Sequence, residues 1–381
     1  MKNRRAAACL GLIAVLLVGA VLFGCGSSSR LHIPKFLVAL DETEFGIFAP
    51  AASGIANVNV FSVNPATGEL TLVSTSPQDV NLYQGGPITV HPNGHWLYAG
   101  DWDNGMIHAW NIDAAGLITE TNSEGVEAYP GWVGGLAVTE DGKYLYSATS
   151  FAGYVVIWSI NQSTGAVSFV DAYDTGMSST GDITIAGNFL YTSTTCFDET
   201  TPSVHAAKIE TDGSLTPIST TAVEGAGYCF WSVQVDRSGK FLVAGDENAT
   251  LFGFNINPTT GDISPTAQGS VTYNTECCDV RAITFSPDNK FLYTTDDDYG
   301  PHAFSFNETT GAMTELDNSP YGEPISYANC QIVADPSNQF VYLATGSEVV
   351  GYTRNQTTGD LTSGTEYFTE NDSACGIVVT Y

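Results

Sequence analysis

The sequence predicts an all-β fold, a seven-bladed β-propeller closed by its own C-terminal strand. Three observations predict it. A turn of the form Asn-x-x-Thr-Gly returns every 45 to 50 residues, as NPATGEL (64–70), NQSTGAV (161–167), NPTTGDI (257–263), NETTGAM (307–313) and NQTTGDL (355–361), with weaker copies at 111–117 and 210–215. Each interval holds four short β-patterned segments, the signature of a propeller blade. The last residues, GIVVTY (376–381), supply a strand that the first unit lacks.

The elements follow in chain order. Residues 1–25 stand outside the fold: Lys2, Arg4 and Arg5 precede an apolar run from Ala6 to Phe23. That run approaches the ~20 residues of a membrane span. It ends, however, in Leu22-Phe23-Gly24-Cys25 and the polar stretch 26–29, which resembles the lipobox of bacterial lipoproteins. The resemblance implies a signal peptide over 1–25, an acylated Cys25, a linker over 26–34 and a propeller over 35–381. It places the chain on the cell envelope, periplasmic or on the outer face, with its N-terminal lipid in the membrane.

Within each unit the innermost strand reads as apolar alternation: Ile88-Thr-Val, Leu136-Ala-Val, Ile183-Thr-Ile, Val233-Gln-Val, Ile283-Thr-Phe and Ile332-Val-Ala. Tight turns such as HPNG, TEDG, DRSG and SPDN come next, with Gly or Asn where positive φ is needed. The second strands are HWLYAG, KYLYSA, NFLYTS, KFLVAG, KFLYTT and QFVYLA. The third strands centre on Phe61, Trp110, Trp158, Phe254, Phe304 and Tyr352, with Ala207 as the exception. KFLVAL (35–40) matches a second strand, so the first unit begins without its inner strand and the C-terminus completes it. Closure of this kind leaves no free inner edge.

SPDNKFLYTTDD (286–297), together with the Asn-x-x-Thr-Gly turns, resembles the lactonase-type propellers, the group of 6-phosphogluconolactonase and the muconate cycloisomerases. The resemblance covers the whole chain after the linker and specifies the fold more than the activity. It implies catalytic groups where an inner strand begins and where a second strand ends. Here those places hold Arg281 with Ala282, and Asp296 with Asp297. Ala282 stands where the family carries histidine, so whether the chain is an enzyme stays open, with Arg281, Asp296, Asp297 and Glu247 as catalytic candidates.

One rim concentrates the polar chemistry. The residues closing successive second strands are Asp41, Asp101, Thr149, Thr194, Asp246, Asp296 and Thr345. They read as caps on the loop backbone, as a hard-cation rim in which Asp41, Asp101, Asp246 and Asp296 would hold Ca²⁺, or as general bases toward a lactone. No other cofactor is indicated. His108, His205 and His302 share one third-strand position that other blades fill with Val or Phe, which marks packing between blades. Cys196, Cys229, Cys277, Cys278, Cys330 and Cys375 all fall in loops of this rim. In an exported chain six cysteines imply disulfides, with Cys330–Cys375 the first choice because it would pin the ring closure, and Cys196–Cys229 next.

Removing Lys2, Arg4 and Arg5 with the signal leaves nine basic residues against 41 acidic ones, a formal charge of −32. Such a surface repels phosphate backbones and excludes nucleic acid as a partner. The expected partner is a small molecule or an envelope protein, bound at the acidic, cysteine-stapled face by a degenerate lactonase-like propeller. The alternative is a lactone hydrolase acting on a sugar-acid lactone.

Overall fold

In the computed structural model the chain divides into two units, Met1–Leu31 and His32–Tyr381. The described residues run from 36 to 380 without 42–56, 81, 83–84, 102–104, 126–131, 196–200, 274–278, 297–299, 323–330, 347 and 369–373. The whole first unit, with Cys25 and the 26–34 linker, lies outside them. Among the described residues no helix is long and apolar enough to cross a membrane.

Seven antiparallel sheets make up the second unit. Blade 1 pairs the second strand Phe36–Asp41 with Asn57–Val63 on one side and with the C-terminal Ala374–Val379 on the other. The predicted closure is therefore present, with Leu37 opposite Val379 and Ala39 opposite Ile377. Thr380 N donates to the Phe36 carbonyl at 2.8 Å and finishes the ladder. Blades 2 to 7 begin with the inner strands Gly85–Val90, Val133–Val138, Ile183–Ala186, Phe230–Val235, Ala282–Phe285 and Gln331–Ala334. Each inner strand touches those of the blades before and after it, forming a ring around the central channel.

The two halves of the repeated motif meet between blades, which is why they occur together. The first residue of each second strand is an aromatic: Phe36, Trp96, Tyr144, Phe189, Phe241, Phe291 and Phe340. Each ring lies against the positive-φ glycine of the next blade's turn: Gly116, Gly165, Gly213, Gly261, Gly311, Gly359 and Gly68. A β-carbon on any of these glycines would press on the ring, so the turn needs glycine for contact as well as for φ. Two residues on, a buried tyrosine hydroxyl donates to the same glycine's carbonyl. Tyr98 reaches Gly165 at 3.1 Å, and Tyr146, Tyr191, Tyr293 and Tyr342 reach Gly213, Gly261, Gly359 and Gly68 at 2.9 Å.

Blades 1 and 5 carry Val38 and Val243 at the tyrosine position, and other groups tie those seams. Gln78 donates to Gly116 O at 3.3 Å and accepts from Ile118 N at 3.0 Å. Gln268 makes the corresponding pair with Met313 between blades 5 and 6. In the turns themselves the Asn side chain accepts from the amides two and three residues on, as Asn161 does from Ser163 and Thr164.

Candidate functional site

The inner strands all begin at one end of the channel, where the departures from sevenfold repetition collect. Directly before the key aliphatic residue of blades 2 to 7, and of the closing strand, stand Pro87, Gly135, Asp182, Ser232, Ala282, Gln331 and Gly376. One position earlier stand Gly86, Gly134, Gly181, Trp231, Arg281, Cys330 and Cys375. Blades 2 to 4 therefore line this mouth with glycine backbone. At Gly134 a β-carbon would lie 2.9 Å from the Gly181 carbonyl, so the neighbouring backbones leave no room for a side chain. Blades 5 and 6 line it with Trp231 and Arg281.

Arg281 immediately precedes the inner strand of blade 6, Ala282–Phe285. Its Nη2 lies 2.9 Å from Asp279 Oδ2, and its guanidinium sits 4.2 Å from the centre of the Trp231 ring, a cation–π stack. Its amide donates to the Thr295 carbonyl at 3.0 Å. Arg281 and Asp279 are both about one-quarter exposed, so the ion pair faces solvent along one edge. The Trp231 Nε1–H is buried, with no hydrogen-bond acceptor among the described residues.

Asp182, absent from the sequence candidates, belongs to the same mouth. Its Oδ2 accepts from Val233 N at 3.0 Å and Ser232 Oγ at 3.1 Å, and its Oδ1 accepts from Ile183 N at 2.8 Å. The carboxylate clasps the inner strands of blades 4 and 5, with Gly135 of blade 3 pressed against it. Burial pushes its pKa up to about 6 against the lowering effect of those three donors. The signal for Asp182 lies in the strand starts themselves, where it is the one acid at its position.

The rim acids behave differently from a free catalytic set. Asp296 is fully buried, with Oδ2 at 3.1 Å from His302 Nε2 inside blade 6. Asp246 Oδ1 accepts from Asn248 N and Thr250 N, both at 2.9 Å, and Glu247 Oε1 accepts from Tyr228 N at 2.9 Å. Thr149 Oγ1 and Thr194 Oγ1 likewise accept from Tyr154 N at 3.2 Å and Ser203 N at 3.0 Å, whereas Thr345 Oγ1 donates to the Glu348 carbonyl at 3.2 Å. The capping of backbone amides expected for this ring of residues is therefore seen at Asp246, Thr149 and Thr194. Asp297 lies outside the described residues. Asp41, Asp101, Asp246 and Asp296 close strands of blades 1, 2, 5 and 6, and among the described residues no three His, Cys, Asp or Glu side chains come together in a metal-binding group.

The three histidines are buried as a packing position requires, yet each also makes polar contacts that the repeat did not reveal. His302 lies between Asp296 and Glu315, the latter at 2.8 Å from Nδ1. His108 lies 3.9 Å from Asp101 and 3.6 Å from Glu120. His205 bonds the Tyr173 hydroxyl at 2.9 Å and Thr220 Oγ1 at 2.8 Å. Of the loop cysteines, Cys196, Cys277, Cys278 and Cys330 lie outside the described residues. Cys375 stands in the closing strand, and Cys229 is fully buried.

Comparison with known proteins agrees with this architecture. Residues 136–280 match the family model described as lactonase, 7-bladed beta-propeller, and 269–299 match the WD domain, G-beta repeat model. No curated protein matches the chain in sequence. Among solved structures, a Lactobacillus plantarum protein superposes with a TM-score of 0.74 at 18% identity, covering 91% of this chain and 100% of its own. A putative 6-phosphogluconolactonase from Bacteroides fragilis gives 0.72 at 18% identity, over 91% and 98% of the two chains. The periplasmic gluconolactonase of Pseudomonas aeruginosa gives 0.69 at 13%, over 91% and 99%. The chain is built as a seven-bladed propeller, the fold that these structures share.

Proposed function

We propose that this chain is an envelope-anchored, lactonase-like propeller that binds a small carboxylate-bearing molecule at the Arg281 mouth without turning it over. The observation that carries the reading is the Asp279–Arg281–Trp231 stack, a partly exposed guanidinium in a chain with a large excess of acids. A guanidinium fork recognises carboxylates by paired hydrogen bonds. The described rim acids engage partners within the fold: Asp296 faces His302, and Asp246 and Glu247 receive backbone amides. Ala282, in the place of the family's histidine, offers no acid or base. Under this reading Cys25 carries the lipid. The rim is stapled by Cys330–Cys375 and by Cys196–Cys229.

Lactone hydrolysis is the second reading, favoured by one observation. Asp182, with its pKa raised to about 6, is suited to act as a general base near neutral pH at the same mouth. The experiment is titration calorimetry of the full chain with aldonic acids, beside a hydrolysis assay on the matching lactones, for wild type, Arg281→Ala and Asp182→Asn. Acid binding that Arg281→Ala abolishes, without lactone turnover, is the expected result. Turnover lost in Asp182→Asn would replace the binding reading with the hydrolytic one. Membrane release of a Cys25→Ser chain tests the anchor, and a reactive thiol at Cys196, Cys229, Cys330 or Cys375 in the native protein would contradict the two staples.

A further inference from the structure

We infer that Asp246 and Glu247 are positioning residues that aim Trp231 at Arg281, and so set the geometry of the mouth. This rests on the binding reading above. Asp246 ends the second strand of blade 5 and Glu247 follows it, and together they grip Gly227 and Tyr228, just ahead of the inner strand bearing Trp231. Asp246 Oδ2 accepts from Gly227 N at 3.0 Å, and Glu247 Oε1 accepts from the next amide, Tyr228 N, at 2.9 Å. These are charge-assisted bonds, shorter and about twice as strong as neutral ones. The approach is close: a β-carbon on Gly227 would lie 2.7 Å from Glu247 Cγ.

Asp246 also reaches the other half of the stack. Its side-chain Oδ1 is fixed by Asn248 N and Thr250 N, so the carboxylate cannot swing away. Its backbone carbonyl accepts from Val280 N at 2.8 Å. Val280 is fully buried and lies between Asp279 and Arg281, the two residues of the ion pair. The preceding Gly245 has no room for a side chain because Val280 fills that space. One residue therefore holds both the approach to Trp231 and the approach to Arg281, and Glu247 adds the second grip on the Trp231 side. The same two grips keep Tyr228, whose side chain is 71% exposed, on a tethered backbone three residues ahead of Trp231. A ring held in water on a braced loop is preorganised for a ligand.

The test uses the full chain with Glu247→Ala, Glu247→Gln and Asp246→Asn. Emission and acrylamide quenching are assigned to Trp231 by difference from Trp231→Phe, and affinity is measured with gluconate. Glu247→Ala is expected to change the Trp231 signal and weaken gluconate about tenfold, a loss consistent with one charge-assisted bond. Glu247→Gln keeps an acceptor oxygen and should recover most of both. In the Trp231→Phe background neither substitution should have a spectral effect. An unchanged Trp231 signal in folded Glu247→Ala overturns the inference. If Glu247→Ala does not fold, unchanged signals in both Glu247→Gln and Asp246→Asn decide against it, and a shift in Asp246→Asn supports it. If wild type does not bind gluconate, the carboxylate reading fails, while the Trp231 signal still decides the positioning role.

Discussion

At the scale of single residues, the buried charges divide into those completed by neighbours and those held under tension. Arg354 is completed: its side chain is fully buried, with Nε to the Tyr293 hydroxyl at 2.8 Å, Nη1 to both oxygens of Asn338, and Nη2 to both oxygens of Asp288. Removing one member of such a set strands its partners, so Arg354→Met should cost roughly 3 kcal/mol in urea unfolding. Arg354→Lys should recover little, because an ammonium cannot span the fork. The histidines are under tension and predict opposite pH responses. Burial disfavours the His302 imidazolium, but Asp296 and Glu315 outweigh it and leave His302 titrating above its usual value. Its contribution is therefore full below about pH 6.5, where the unfolded histidine is also protonated, and is lost as pH rises through the raised value. His205, buried beside Tyr173 and Thr220, is lowered to about 4, so the fold loses stability as pH falls from about 6.5 toward 4. Melting temperatures of His302→Gln and His205→Gln across pH 4 to 8 check both signs. The His302 deficit should shrink as pH rises; the His205 variant should gain on wild type as pH falls.

At the scale of elements, the aromatic–glycine seam explains why the repeat is legible at all. A contact made again at every junction leaves the same letters in every unit, so strand order, turn positions and ring closure could be read from the sequence. Chemistry specific to one blade leaves a single departure, and its meaning depends on what the neighbouring blade presents. Arg281 is visible as such a departure, but its seat on Trp231 and Asp279 is a contact between blades 5 and 6. Asp182 is an equally visible departure whose role is hidden, because nothing in blade 4 alone shows that it receives Ser232 and Val233 from blade 5. The histidines belong to the interior as their shared position implies, whereas their polar partners, carboxylates at His108 and His302 and hydroxyls at His205, lie on segments that periodicity does not pair. The seam itself can be tested. Tyr146→Phe leaves the buried Gly213 carbonyl without its donor and should cost about 1–3 kcal/mol. Gly261→Ala sets a methyl group against Phe189 at a φ of +74° and should cost about 2 kcal/mol or more. Denaturant midpoints measure both, and equal stability of Gly261→Ala and wild type would refute the contact.

At the scale of the whole molecule, the ring is held shut by one strand exchange between residues far apart in the chain. The second strand of blade 1 has Asn57–Val63 on its outer side, and on its inner side has Ala374–Val379. Phe36 and Thr380 bond in both directions across 344 positions. Removing residues 374–381 would strip the inner-side amides and carbonyls of Phe36–Asp41 of their partners. It would also uncover Leu37, Val38 and Ala39, all fully buried in the closed ring, and delete the buried Ile377 and Val379. Exposing aliphatic side chains of this size costs about 1.5–3 kcal/mol each, so the sum approaches the 5–15 kcal/mol that typically separates a folded domain from its unfolded chain. The closing strand also packs against the inner strands of blades 7 and 2, and the ring would part there. A chain ending at residue 373 should therefore lose its single cooperative melting transition, with amides of 36–41 exchanging like those of an open strand. Adding the peptide 374–381 in trans should restore protection there before it restores the melting temperature, because pairing regained without the covalent link still bears the cost of association. A truncated chain that melted as wild type does, with residues 36–41 still protected, would show that blade 1 holds its place without the closing strand.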